Sequence, residues 1–130
     1  MDKFPLTSLA TLLACGVFFW TLAMVAGARG RYGVAPPAVS GHEQFERRFR
    51  VQNNTLEQLL LMLPILWLCA FWVADWAAAL GGLAWAAARI LYARSYIADP
   101  KTRGLGFMLT VTASCVMGLA VIGAILRSLV

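Results

Sequence analysis

The chain has 130 residues, of which 61% are hydrophobic and 13% charged, whereas soluble domains are about 45–50% apolar and about 25% charged. This composition excludes a water-soluble globular fold, and the length predicts one domain, residues 1–130, with lipid as its solvent. The net charge is +5, but the basic residues are scattered at the ends of apolar runs without interleaved aromatics, which argues against nucleic acid as a partner.

The first apolar run covers residues 6–28 and carries no charge. At about 1.5 Å per residue it extends about 34 Å, enough to cross a hydrocarbon core of about 30 Å. The small residues before Arg29 also resemble a signal-peptide cleavage site. We favour a retained helix, because the run is longer than a signal-peptide core of about 7–15 residues and cleavage would leave an arginine cluster outside.

Three further runs follow, at residues 44–74, 76–98 and 105–126. The second starts with a charged helical stretch, contains Pro64, which is expected to kink it, and stops at Asp75. So little chain separates the second run from the third that the two are expected to form a tight hairpin. The third run is rich in alanine and glycine, which let membrane helices approach closely. The sequence therefore predicts an all-α integral membrane protein, a bundle of four transmembrane helices.

The distribution of lysine and arginine predicts the orientation. Nine of the eleven basic residues lie in two polar loops, residues 29–43 and 99–104, or at the helix ends beside them. Only Lys3 and Arg127 lie at the other ends of the helices. The positive-inside rule then places both loops in the cytoplasm and both termini on the opposite side. A bacterial source would imply the cytoplasmic membrane and a eukaryotic source the endoplasmic reticulum.

Polar side chains recur along the second run at helical spacing. Arg47, Arg50, Asn54 and Glu57 are three, four and three residues apart, so they share one face of a helix. An anchoring role at the membrane interface does not explain Asn54 and Glu57, although it explains the cations Arg31, Arg47, Arg48, Arg94 and Lys101. A carboxylate inside an apolar register needs a cationic partner, for which Arg50, Arg89 and Arg29 are the candidates.

The third run repeats the pattern. Arg89, Tyr92 and Tyr96 are three and four residues apart, which puts a guanidinium and two phenols on one face. An aromatic belt is the simpler interpretation of the tyrosines. Because the hairpin holds the second and third helices side by side, we expect both polar stripes to meet at one depth.

The chemistry of this cluster suits a small zwitterion with more negative than positive charge. Guanidinium groups bind carboxylates, Glu57 accepts an ammonium, and Asn54 and Gln52 satisfy amides. Glutathione has these groups, but the spacing alone admits other acidic peptides or a phosphorylated lipid headgroup.

The three cysteines and the single histidine do not form a metal-binding pattern. Cys15, Cys69 and Cys115 lie inside apolar runs without CxxC or Cys/His spacing, so each is interpreted as a small buried hydrophobic residue. His42 lies in a polar loop and is interpreted as a solvated residue rather than a catalytic base.

The stretch "FERRFRVQNNTLEQ" resembles the signature of the MAPEG family, the membrane-associated proteins of eicosanoid and glutathione metabolism. The similarity extends to "ARGRYGVAPP" before it, to "DWAAALGGLAWAAARILYARSY" after it and to "DPKTRG" before the last helix. The resemblance implies a homotrimer with glutathione bound between subunits, near the cytoplasmic face. The matching glutathione-contacting positions are Arg29, Arg50, Gln52, Asn54, Glu57, Tyr92 and Tyr96.

Arg103 matches the family's arginine for thiol activation, an assignment that spacing alone does not favour over Lys101. The implied activity is attack of a glutathione thiolate on a lipophilic electrophile, with peroxide reduction as a further possibility. Gly30 and Gln58 depart from the leukotriene-forming members of the family, so a general detoxifying transferase is expected instead. Two other functions stay open, a non-catalytic lipid-binding or scaffold protein on the same fold and a small exporter that uses Glu57.

Overall fold

The computed structural model describes residues 3–130 and contains four long helices. They are α1 (Pro5–Tyr32), α2 (Glu43–Trp72), α3 (Asp75–Ala98) and α4 (Gly104–Ser128), and a 3-10 turn, Pro100–Thr102, precedes α4. No strand occurs in these residues. All four helices are long and apolar enough to cross a membrane, so the prediction of an all-α protein with four membrane-spanning helices is confirmed.

The helices run alternately up and down, with α2 and α3 at the centre. Helix α1 packs on both, and α4 packs on the same pair from another side. The loop between α1 and α2 and the 3-10 turn therefore lie together at one end of the bundle, which we call the basic end. The short α2–α3 connection lies at the other end.

Apolar side chains cover the outside of the bundle as well as its interior. Leu12 and Phe19, both in the 28-residue helix α1, are 68% and 71% exposed. The interior is packed by small residues such as Ala14 and Ala78 together with larger ones such as Met62 and Trp85. Because the outer surface would be unfavourable in water, this arrangement fits a bundle whose solvent is lipid.

Asp75 links α3 to α1 at the end of the bundle opposite the basic end. Only Val73 and Ala74 separate α2 from α3, as a tight hairpin requires. The carboxylate of Asp75 accepts hydrogen bonds from the backbone N–H of Thr7 (2.8 Å) and of Leu6 (3.1 Å) and from the Thr7 hydroxyl (2.6 Å). The first N–H groups of a helix have no partner inside the helix, so Asp75 caps α1 from a neighbouring helix.

At the basic end, Arg29 fixes the α1–α2 loop. Its Nη1 donates to the carbonyl oxygens of Val34 (3.2 Å) and Ala38 (2.8 Å), and its guanidinium lies 4.7 Å from the ring centroid of Phe45. His42 is exposed, as expected, and its Nδ1 accepts a hydrogen bond from the N–H of Gln44 at the start of α2. The loop therefore has a defined shape above the helix ends.

Arg47 connects α2 to the end of α3. Its Nη1 donates to the carbonyl oxygens of Ile97 (3.0 Å) and Ala98 (2.9 Å), which have no partner within α3, and its Nη2 forms an ion pair with Glu43. The polar stretch of α2 is thus held against α3.

Helix α2 continues through Pro64 without interruption, although the proline ring leaves the carbonyl of Leu60 without its usual donor.

Candidate functional site

A cavity of about 360 Å³ opens near the basic end, where α2, α3 and α4 meet. Its lining combines polar and aromatic side chains. The lining residues are Arg50 and Asn54 from α2, Tyr92 and Tyr96 from α3, and Arg103 and Phe107 from α4. Five of these six belong to the set expected from the sequence, and the two polar stripes do meet at one depth.

Each helix presents its residues to the cavity because of helical spacing. Positions 50 and 54, 92 and 96, and 103 and 107 are each four residues apart, so each pair lies on one face, one turn above the other. Phe107 was missed in the sequence because it is one of many apolar residues in α4. The signal that could have identified it is its position one helical turn after Arg103.

Arg89 lies beneath the cavity and has no exposed surface. Its Nη2 donates to the side-chain oxygen of Asn54 (3.1 Å) and to the hydroxyl of Thr55 (3.0 Å), and its guanidinium lies 4.1 Å from the Tyr92 ring centroid. Its Nε and Nη1 have no hydrogen-bond partner among the described residues. Arg89 therefore does not line the cavity itself, but it contacts Asn54, which does.

Glu57 has a different partner from the one expected. Its Oε2 accepts a hydrogen bond from Nδ2 of Asn54 (3.2 Å), and the ion pair present in residues 3–130 is that of Arg47 with Glu43. The prediction that Arg50, Arg89 or Arg29 pairs directly with Glu57 within the chain is therefore wrong. Glu57 is exposed on the single chain, and Asn54 connects it to Arg89.

Two guanidiniums remain free to meet a ligand. Arg50 and Arg103 are both exposed, and within residues 3–130 neither forms an ion pair. The Cζ of Arg103 lies 5.6 Å from the ring centroid of Tyr96, within the range of a cation–π contact. Glu57 does not line the cavity, but its hydrogen bond to Asn54 places a carboxylate beside a lining residue. Two free cations and one nearby carboxylate suit a ligand with more negative than positive charge.

Arg29 and Gln52 do not line the cavity. Arg29 is occupied by the loop carbonyls, and Gln52 lies two residues from both Arg50 and Asn54, which turns it to the other side of α2. A site formed by one chain therefore contains only part of the expected set.

The cavity has polar and apolar neighbours. Toward the basic end, a second cavity of about 470 Å³ shares Arg50 and Tyr96 with it. Toward the bilayer centre, a groove of about 410 Å³ lies between α2 and α4. Its lining continues the two site faces, with Gln58, Leu61 and Ile65 on α2 and Val111, Ser114 and Gly118 on α4. A polar ligand and an apolar molecule thus have adjacent places.

The cysteines are only partly as expected. Cys69 is buried, whereas Cys15 and Cys115 are exposed on the outer surface of the single chain. The interpretation of all three as buried hydrophobic residues is therefore wrong for two of them, because α1 and α4 each turn a wide face away from the bundle. None lies in the cavity, and no group of three His, Cys, Asp or Glu side chains that would hold a metal occurs among the described residues.

Gly106 sets the distance between α3 and α4 at the site. A Cβ added at Gly106 would lie 2.5 Å from the backbone nitrogen of Tyr92 and 2.6 Å from its Cα. Backbone atoms cannot rotate aside, so α4 would have to move, and Arg103 would move with it. We expect Gly106→Ala to destabilise the bundle by about 1–3 kcal/mol, measured by thermal unfolding in detergent.

Gly123→Ala is the matched control for this variant. Gly123 lies in the same helix, and nothing lies within 4 Å of an added Cβ there. Replacing glycine with alanine raises the helix propensity by the same amount at both positions, so the control should unfold at the parent temperature or slightly above it. An unfolding temperature of Gly106→Ala as high as that of Gly123→Ala would contradict the close approach.

Known proteins are similar to this chain over most of its length. The family model of the MAPEG family matches residues 7–123. An uncharacterised protein of Synechocystis sp. is 43% identical over 122 residues, 94% of this chain and 87% of the relative. Microsomal glutathione S-transferase 2 of Bos taurus is 33% identical over 92% of this chain and 80% of its own length. Leukotriene C4 synthase of Bos taurus is also 33% identical, over 78% of this chain and 68% of its own length.

Proposed function

The chain belongs to the MAPEG family, and from that premise we propose that it is a membrane-bound glutathione transferase acting on lipophilic electrophiles. The resemblance drawn from the residues is thereby confirmed at the level of the family. The four membrane-spanning helices and the family together make the chain an integral membrane protein. The names of two relatives, a glutathione transferase and a leukotriene synthase, support glutathione-related chemistry.

The observation that carries this proposal is the convergence of Arg50, Asn54 and Arg103 around one cavity, with Glu57 hydrogen-bonded to Asn54. Glutathione has two carboxylates, one ammonium and two peptide groups. Arg50 and Arg103 would attract the carboxylates and the thiolate, and Glu57 would receive the ammonium. Asn54, fixed by Arg89, would meet a peptide group. With two cations and one carboxylate, the site has a net positive charge that complements the net negative charge of glutathione.

Arg103 is proposed to activate the thiol. A free thiol has a pKa of about 8.5, so only about 3% is ionised at neutral pH. A guanidinium beside the sulfur favours the thiolate, and each pKa unit corresponds to about 1.4 kcal/mol. The thiolate then attacks the electrophile, an S–C bond forms, the leaving group departs with its electron pair, and the thiol proton passes to water. This route requires no nucleophile from the protein.

The α2–α4 groove supports a lipophilic second substrate. It lies directly below the cavity on the same helix faces, and most of its lining is apolar. A molecule dissolved in the membrane would place its apolar part against Leu61 and Ile65, with its reactive atom toward Arg103. With a lipid hydroperoxide, attack of the thiolate on the O–O bond would release an alcohol and leave a sulfenic acid, which a second glutathione converts to the disulfide and water.

We propose further that the active form is a homotrimer whose sites lie between subunits. Arg29 and Gln52 are outside the cavity of their own chain, while the cavity is open and two of its cations are exposed. A neighbouring subunit would complete the ligand shell, with membrane lipids around the outer surface. The basic end would face the cytoplasm and both termini the opposite side, as the arginine distribution favours.

The test is a titration of the detergent-purified protein with glutathione, followed by ultraviolet absorbance in the band where a thiolate absorbs and a thiol hardly does. A saturable increase at neutral pH is expected. S-methylglutathione, which has no ionisable thiol, is the control and should compete without producing the signal.

Two outcomes would oppose the proposal. Glutathione that binds without a thiolate signal and without conjugating chlorodinitrobenzene would mean a ligand that is held but not activated. No glutathione binding, together with co-purified lipid, would favour the alternative of a non-catalytic lipid-binding or scaffold protein on the same fold.

A further inference from the structure

A second apolar groove lies on a different side of the bundle, between α3 and α4. Its volume is about 640 Å³, and no residue of α2 lines it, unlike the candidate site and the groove below that site. Its lining includes small residues of α3, Gly81, Ala84 and Ala87, and larger apolar residues, Leu80, Leu109 and Val116. None of the residues that line it is charged.

The groove has a charged end and an uncharged end. Arg94 lies three residues beyond Leu91 on the same face of α3, and Lys101 lies in the turn between α3 and α4. Both side chains are exposed, and neither takes part in an ion pair within the described part of the chain. Asp99 is the nearest acidic residue in the sequence, and its Oδ1 accepts a hydrogen bond from the backbone N–H of Lys101.

The opposite end of the groove is formed by Trp76. The acidic residue next to it, Asp75, directs its carboxylate to the first turn of α1. Arg127, at the same end of α4, lines a different cavity with Trp72 and Val73. The cations nearest to the groove in the chain, Arg94 and Lys101, thus lie at its basic end, which gives an amphipathic occupant one preferred direction.

We propose that this groove binds an anionic phospholipid, with one acyl chain along α3 and α4 and its phosphate at Arg94 and Lys101. An acyl chain is narrow, flexible and apolar, which suits a groove whose lining is apolar and rich in small residues. Guanidinium and ammonium groups at a membrane interface attract anionic headgroups. A phospholipid without net charge would find the same groove but less attraction at its end.

The length of the groove agrees with one lipid chain. The α3 residues that line it, 76–91, rise about 22 Å along the helix, more than the thickness of one leaflet, which is half of a hydrocarbon core of about 30 Å. A chain that starts at Arg94 would therefore reach the bilayer centre within the groove. This site does not depend on the proposed glutathione chemistry, because none of its residues lines the glutathione cavity.

Native mass spectrometry of the full-length protein in detergent tests the proposal, with phosphatidylglycerol and phosphatidylcholine of identical chains as probes. We expect phosphatidylglycerol to bind more tightly. The double change Arg94→Gln and Lys101→Gln should weaken its binding about tenfold and leave phosphatidylcholine unchanged. Ala87→Leu, which fills the groove, should weaken the binding of both lipids.

Two control variants separate the groove from the general surface. Arg31→Gln removes an exposed cation at the same end, and Ala23→Leu enlarges an exposed alanine on α1; both should bind lipid as the parent does. Equal affinity for the two lipids, or an equal effect of Arg31→Gln, would overturn the proposal. So would an Ala87→Leu variant that binds both lipids normally, or one whose only change is in subunit number, since the groove would then face a second copy of the chain. Thermal unfolding of each variant shows that the fold is retained.

Discussion

Replacing Arg103 with alanine is expected to lower kcat/KM for the conjugation of chlorodinitrobenzene about 25-fold or more at neutral pH. If the guanidinium lowers the thiol pKa from about 8.5 by two units, the thiolate fraction at neutral pH rises from about 3% to about 76%. Loss of Arg103 reverses that gain. Because Arg50 and Glu57 still bind the rest of glutathione, its KM should change much less than kcat.

The pH profile distinguishes activation from positioning. In the parent, kcat at saturating glutathione should level off above the lowered pKa of the bound thiol. In Arg103→Ala, kcat should keep rising until the pH passes about 8.5, the ordinary pKa of a thiol. The defect should therefore shrink as pH increases. Steady-state kinetics over this range measure it.

Two further variants complete the Arg103 experiment. Arg103→Lys keeps a positive charge and should recover part of the rate, while Arg31→Ala removes an exposed arginine outside the cavity and should act as the parent does. An Arg103→Ala enzyme with a constant defect at every pH would show that Arg103 holds the ligand without acidifying its thiol.

Replacing Arg89 with methionine is expected to raise the KM for glutathione about tenfold while kcat changes less than about twofold. Arg89 is fully buried and donates to Asn54, so the change frees Asn54 and, through it, Glu57. Neither residue touches the sulfur in our proposal, so binding weakens and the chemical step does not.

The stability of Arg89→Met is expected to be equal to or higher than that of the parent. Two nitrogens of the buried guanidinium have no hydrogen-bond partner within residues 3–130, and Arg89 forms no ion pair there. A buried cation is costly, and an apolar residue of similar length often packs as well or better. Thermal unfolding in detergent and glutathione binding by calorimetry would measure the two effects separately.

A double-mutant cycle shows whether Arg89 acts through Asn54. If it does, Asn54→Ala alone and Asn54→Ala with Arg89→Met should bind glutathione with nearly equal affinity. Additive losses would mean that Arg89 acts on the ligand by another route. A loss of kcat as large as that of Arg103→Ala would contradict a positioning role altogether.

Much of the fold follows from local properties of the sequence. The four helices were identified because about 20 apolar residues in a row match the thickness of a membrane, whatever surrounds them. The stripe that contains Arg50 and Asn54 and the stripe that contains Tyr92 and Tyr96 were identified because helical spacing alone decides which residues share a face. The short connection at Asp75 was enough to place the two stripes side by side.

The partners of the polar groups were decided only by the tertiary structure. Glu57 was assigned a cation on the basis of charge, yet Asn54 contacts it, and Arg89 is enclosed where the spacing suggested that it faces a ligand. Asp75 was recognised as the end of a helix, but not as the cap of α1.

The reason is that composition and periodicity describe one helix at a time. A hydrogen bond or a cavity depends on how each helix is rotated and how closely its neighbour approaches, and at this site that distance is set by Gly106 against the backbone of Tyr92. Such contacts join residues far apart in the chain, so no local pattern in the sequence records them.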